Sequence, residues 1–261
     1  MTRDVFGAFD EQVRTRLSEL QSMAQSGGLD EAVEAMVGSI RNGGVLQAFG
    51  TGHSQAFAME IAGRAGGLIP THAIALRDTV LKGDRPASDL EGGLLERDTN
   101  IANELWELHE FHPEDVFLIA SNSGVNGSIV GIALRAKEEG HTVIAVTSLE
   151  HTNAVTPKHP SGKRLAEIAD VVIDNLAPFG DATVPVSASG ADAPEGSGVM
   201  AGAVSSITAA YIAQLLTLAT AARIEETGET PPLYLSANIP GGDEHNDALK
   251  ARYGERIGSM A

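Results

Sequence analysis

Two short stretches concentrate the side chains able to do chemistry. "FGTGHS" (49–54) sets Thr51, His53 and Ser54 around Gly50 and Gly52; "SNSGVNGS" (121–128) sets Ser121, Asn122, Ser123, Asn126 and Ser128 around Gly124 and Gly127. Hydroxyls can donate to oxygen anions, and glycine lets the backbone approach them closely. Each stretch follows an apolar run and opens onto a helical pattern, where free N–H groups and the macrodipole favour negative charge. The expected ligand is a phosphate-like anion held by Thr51, Gly52, His53, Ser54, Ser121, Asn122, Ser123, Gly124, Asn126 and Ser128. It is not expected to be a nucleotide. Gly50-x-Gly52 meets Gln55 where a dinucleotide loop needs its third glycine, and no GxxxxGK[ST] occurs. The competing reading is that Ser54, Ser123 and Ser128 merely cap helices.

Acid–base candidates lie around these loops. Glu60, six residues beyond Ser54, faces partly back toward the first loop. A carboxylate there could take a proton α to a carbonyl, or it could simply pair with Arg64 one turn on. The polar stretch "RDTVLKGDRPASDLEGGLLERDTN" (77–100) follows a strand, so Glu96 can reach the same sheet edge, as on a lid. A second long polar stretch, 178–198, reads equally as a functional loop or a surface insertion. His151 and His159 follow the fourth strand, where a strand-to-helix loop opens on the site, and His151 is counted among the ligand-binding residues. Their separation matches no standard metal spacing; there is no HExxH and no GxSxG elbow, so neither a metal nor any other cofactor is expected.

The elements that must position these residues alternate. Amphipathic helices are expected at 8–26 and 30–41, followed by apolar runs at 45–49, 72–76, 115–120, 142–147 and 170–175. Helical segments at about 54–65, 99–111, 126–139 and 163–169 separate them, and a long helix rich in small residues covers 201–224. Short apolar runs alternating with helices give an α/β fold with a parallel sheet covered on both faces. Ligands of such sheets bind outside the strands' carboxyl ends, where strand order reverses.

Composition bounds the rest. The chain has 261 residues, 43% of them hydrophobic, no cysteine, and a formal net charge of −17. No apolar run approaches the roughly 18 residues needed to span a bilayer, and the mixed, charged first residues carry no signal peptide. The cytoplasm is the expected compartment. The acidic balance argues against nucleic-acid or anionic-membrane partners, which need a positive face.

"FGTGHSQAFAMEIAGRAGG" and "VFLIASNSGVNGSIVGIALRAKEEGHTVIAVTS" resemble the two signature segments of the sugar isomerase (SIS) domain family, over about residues 30–220. Among its members the chain is similar to sedoheptulose 7-phosphate isomerases, N-acetylmuramic acid 6-phosphate etherases and stand-alone SIS proteins. The resemblance implies a three-layer αβα sandwich around a five-stranded parallel sheet, a phosphosugar ligand, and subunits that share sites. It assigns catalysis to Glu60, through "EIAGR". The isomerases carry a catalytic histidine on the long C-terminal helix, but 201–224 contains none. Because members of the family send a C-terminal segment into the site, Glu244 and His245 of "GGDEHND" join Glu60 and Glu96 as catalytic candidates.

The expected protein is a single domain over 1–261, with a core at about 30–224, an N-terminal helix at 8–26 and a tail at 231–261. It is expected to act on a hexose or N-acetylhexosamine 6-phosphate through proton abstraction at C2. Elimination or aldose–ketose isomerisation would follow, in a homodimer or dimer of dimers. The alternative is a non-catalytic phosphosugar sensor.

Overall fold

A computed structural model describes residues 4–186 and 198–258. The helices are α1 (Val5–Gln25), α2 (Asp30–Arg41), α3 (Gln55–Ile61), α4 (Asp78–Leu81), α5 (Leu94–Arg97), α6 (Ile101–Glu107), α7 (Gly127–Glu138), α8 (Leu149–Ala154), α9 (Ser205–Glu225) and α10 (Gly242–Lys250). The strands are β1 (Leu46–Gly50), β2 (Thr71–Ile74), β3 (Val116–Ala120), β4 (Thr142–Thr147), β5 (Val171–Asp174), β6 (Ala182–Pro185) and β7 (Met200–Ala203).

The first five strands form one sheet in the order β2-β1-β3-β4-β5, parallel throughout. Successive residues of a strand point to opposite faces, and both faces are filled. Leu118 and Ala120 of β3 join Leu46 and Ala48 in a core closed by Met36 of α2, Phe57 and Ile61 of α3, and Ile212 and Leu216 of α9. Phe117 and Ile119 turn the other way, onto Ile101 and Leu105 of α6 and Ile129 and Ile132 of α7. This is the expected three-layer α/β fold. By length and composition α9 could cross a membrane; here its apolar side chains close the first core.

The chain runs outward from β1 to β2, then returns to the other side of β1 to make β3. The strand order therefore reverses between β1 and β3, which brings the loops after these two strands side by side. Three expectations need correction. The helix expected at 163–169 is one 3-10 turn, Leu165–Glu167, entered through Gly162 at φ 70°. A helix not foreseen, α8, follows β4, with Ser148 accepting at 2.9 Å from the amide of His151. Part of 178–198 builds an antiparallel ribbon, pairing Ala182 with Ala203 and Val184 with Ala201; 187–197 lies outside the described residues.

The tail closes the β2 side of the sheet. Leu233 bridges Leu68, and the Gly258 carbonyl accepts from Ala73 of β2 at 2.9 Å. Arg256 reaches Asp115, at the amino end of β3, at 2.5 Å. Nearby, His72 is buried on β2, its Nδ1 2.9 Å from Oε1 of Gln47. Burial, and then the nearby His109 and Lys82, push the His72 pKa from 6.5 down to about 4. The folded protein thus holds this imidazole neutral where the unfolded chain protonates it. Its contribution to stability is complete above pH 6.5 and is lost as the pH falls toward 4, on the order of 3 kcal/mol. In urea titrations between pH 7 and pH 4.5, His72→Gln should flatten the pH dependence by about one proton; equal slopes for both proteins would refute this.

Candidate functional site

A polar cavity of about 280 Å³ opens at the carboxyl ends of β1 and β3, lined by Thr51, Gly52, His53, Ser54, Glu96, Ser121, Asn122, Ser123, His151, Asp181 and Ser205. Of the expected ligand-binding residues, Thr51, Gly52, His53, Ser54, Ser121, Asn122, Ser123 and His151 meet here. The left-handed backbone at Gly52 (φ 54°) and Gly124 (φ 63°) turns each loop over the strand end. Ser121 Oγ accepts from the Gly124 amide at 3.1 Å, fixing the second loop.

The serines are not helix caps. Gln55 and Gly127 begin α3 and α7 without a side-chain cap from Ser54 or Asn126, and Ser128 donates instead to the Glu96 carbonyl at 2.8 Å. The side-chain hydroxyls of Ser54 and Ser123 make no hydrogen bond among the described residues, so both are available to a ligand. If Ser123 binds the anion, Ser123→Ala should weaken phosphate binding by about 1–3 kcal/mol in calorimetry; unchanged affinity would refute the contact.

The second half of "SNSGVNGS" does a different job from the one expected. Asn126 donates through Nδ2 to Glu96 Oε1 at 2.6 Å, while its own Oδ1 accepts from Lys158 at 3.4 Å. At Gly127 any Cβ would lie 2.5 Å from the Arg97 carbonyl oxygen. Asn126, Gly127 and Ser128 therefore form a dock for the segment carrying Glu96, and Asn126 and Ser128 do not line the anion cavity. Gly124 lies beneath the second loop, facing Thr152 and Thr147. The other end of the 77–100 segment is pinned by Arg85, which holds Glu104 at 2.7 Å and Asp89 at 3.2 Å. With Oε1 engaged by Asn126, Glu96 turns Oε2 toward the first loop, 3.4 Å from where a Cβ on Gly52 would be.

Three other candidates lie elsewhere. Glu60 is not among the cavity's lining residues; it pairs with Arg64 and accepts from Gln214 of α9 at 2.8 Å. This is the helix-surface pair that the four-residue spacing also allowed. His245 and Glu244 sit on α10, in the tail that runs along the amino end of β2. His245 Nε2 donates to the Leu233 carbonyl at 3.0 Å, and Glu244 is exposed. The fold carries this tail away from the strands' carboxyl ends.

Two lining residues escaped sequence reasoning. Asp181 adopts φ 70° and its carboxylate accepts from the Ser205 amide at 2.7 Å, the Ser205 hydroxyl at 2.6 Å and the Val204 amide at 3.0 Å. The amino end of α9 is thus occupied by the protein's own carboxylate. The available signal was "GD" (180–181), a turn pair tolerant of left-handed backbone.

Comparison with known proteins agrees with this architecture. The SIS domain family matches residues 8–148. UPF0309 protein lmo0025 of Listeria monocytogenes is 34% identical over 249 residues, covering 95% of this chain and 97% of that one. UPF0309 protein BH3325 of Halalkalibacterium halodurans is 36% identical over 245 residues, 94% and 95% of the two chains. Among solved structures, a phosphoheptose isomerase from Francisella tularensis superposes with a TM-score of 0.54 at 18% identity, covering 84% of this chain and 98% of that one; this likeness speaks to the fold. With more than half of its length matched and full-length relatives above 30% identity, this chain belongs to the SIS domain family.

Proposed function

We propose that the protein is an enzyme acting on a hexose or N-acetylhexosamine 6-phosphate, with Glu96 as the base that removes the proton at C2. The observation that carries this is the carboxylate of Glu96: one oxygen is held by Asn126 and the other faces the anion loop. A phosphate bound by Ser54, Ser121, Ser123 and the amides near Gly52 would anchor the sugar, so that C2 comes within reach of Oε2. In the open-chain aldose, the C2 proton is acidified by the C1 carbonyl.

The resulting enolate has two exits. In a 2-hydroxy aldose it is an enediolate, whose protonation at C1, with loss of the O2 proton, gives the ketose; in either sugar, expulsion of the C3 substituent gives elimination. A second cavity of about 290 Å³ adjoins the first at Gly52 and Glu96 and is walled by Leu76, Leu90 and Leu95 together with Gln55 and Arg77. An apolar recess beside the base suits a sugar bearing an acyl or ether substituent, which favours elimination from an N-acetylhexosamine derivative. The family's shared sites and the acidic surface support a homodimer or dimer of dimers with no nucleic-acid partner.

The test is hydrogen exchange at C2, followed by NMR in deuterated water across a panel of sugar 6-phosphates. Exchange with at least one N-acetylated member supports the reading. Binding without exchange across the panel would replace it with the sensor. Glu60→Gln serves as the control, and exchange should persist in it, because its carboxylate is engaged by Arg64 and Gln214.

A further inference from the structure

The tail's removal from the site leaves the developing charge on the substrate without an obvious stabiliser, and His151 is placed to supply one. Ser148 caps α8 and also donates to the Ala177 carbonyl at 2.5 Å, which seats His151 in the first turn after β4. The ring stacks on Phe179 at 5.2 Å, tilted by 27°, and its Nδ1 is 3.0 Å from the Gly180 amide nitrogen. Glu150 steadies the same turn by accepting from the Phe179 amide at 2.8 Å.

A backbone N–H can only donate. Nδ1 must therefore present its lone pair, and the neutral ring carries its proton on Nε2. Nε2 has no hydrogen-bond partner among the described residues, and His151 lines the same cavity as Glu96.

Building on the reading of Glu96 as base, we propose that His151 is a catalytic residue that stabilises the oxyanion through a neutral Nε2–H. As Glu96 Oε2 takes the C2 proton, the C2–H bonding pair becomes the C1=C2 π bond. The C1=O π pair moves onto O1, whose negative charge Nε2–H holds without giving up its proton. No net proton passes to or from the ring. A fixed neutral donor of this kind acts most strongly where charge develops, and losing one lowers turnover by about 10²–10³-fold.

The experiment compares the parent with His151→Phe, which keeps a flat ring against Phe179 but has no donor, and with His151→Gln, whose amide can donate. C2 exchange is measured on the sugar 6-phosphate that the parent exchanges fastest, affinity is measured for inorganic phosphate, and the histidine tautomer is read by ¹⁵N NMR. The expected result is exchange reduced about 10²–10³-fold in His151→Phe, with partial recovery in His151→Gln. Phosphate affinity and the shape of the pH profile should be unchanged, and Nε2 should carry the proton in the parent. Undiminished exchange in His151→Phe overturns the proposal, as does a loss of phosphate affinity that accounts for the whole effect, or a proton on Nδ1. If Glu96→Gln silences exchange while His151→Phe does not, only the role of His151 fails. If the parent exchanges no sugar phosphate, the reading of Glu96 fails and this one with it.

Discussion

Glu96→Gln should lower C2 exchange and turnover by about 10²–10⁴-fold, the usual contribution of a positioned base. The amide keeps the side chain's shape and its ability to accept from Asn126, but it cannot take a proton. Phosphate affinity should stay within a few-fold, because the serines and loop amides proposed to bind the anion are untouched. A fall in kcat and kcat/KM together, with little change in binding, identifies an interaction made in the transition state. Comparable exchange in Glu96→Gln and the parent would sink the assignment. Transfer of the loss to Glu60→Gln would return catalysis to α3, as the family resemblance implied. The contrast between these two carboxylates is informative because both are held by an amide donor, from Asn126 or Gln214, yet only Glu96 lines the cavity.

Arg256→Ala should destabilise the protein by about 3 kcal/mol. Asp115 is completely buried, and its carboxylate serves four groups at once. It accepts from the Val45 amide at 2.8 Å, Gln47 Nε2 at 2.9 Å, the His112 amide at 3.1 Å and Arg256 at 2.5 Å. Removing the guanidinium leaves a buried anion with neutral donors only, and losing one partner of a buried pair typically costs about 3–5 kcal/mol. The three remaining hydrogen bonds place this case at the low end. Urea unfolding of Arg256→Ala, Asp115→Asn and the double variant measures the coupling. The double variant should lose less than the sum of the singles, since a neutral amide no longer needs the cation. A loss below about 1 kcal/mol in Arg256→Ala would class the contact with exposed ion pairs.

The layered fold was legible because its signals are local and repeated. Runs such as 116–120 and 142–147 are apolar on both faces, which only a sheet covered twice accommodates. The two loops were legible because glycines and hydroxyls are dense just after those runs. What the sequence hid depends on contacts far apart in the chain. Asn126 meets Glu96 across thirty residues and Arg256 meets Asp115 across more than a hundred, and no periodicity encodes either. The motif "NGS" (126–128) read as more of the anion loop because glycine, amide and hydroxyl suit both a phosphate and a docked backbone. Glu60 was ambiguous from the start, since one spacing served both a catalytic and a surface role. His245 was misplaced because a turn-rich tail, 231–261, gives no sign of which end of the sheet it will cover.

Among the described residues, those lining the candidate anion cavity include no lysine or arginine, and the whole chain carries a net charge of −17. On the proposed reading, an anionic ligand approaches against a net repulsive field and meets mainly dipoles inside the cavity. Such a protein inverts the usual response to ionic strength. Added salt screens the long-range repulsion, with a Debye length of about 10 Å at 0.1 M, while the hydroxyl and amide contacts inside the cavity are screened far less. The association rate should therefore rise with salt, where oppositely charged partners show the reverse.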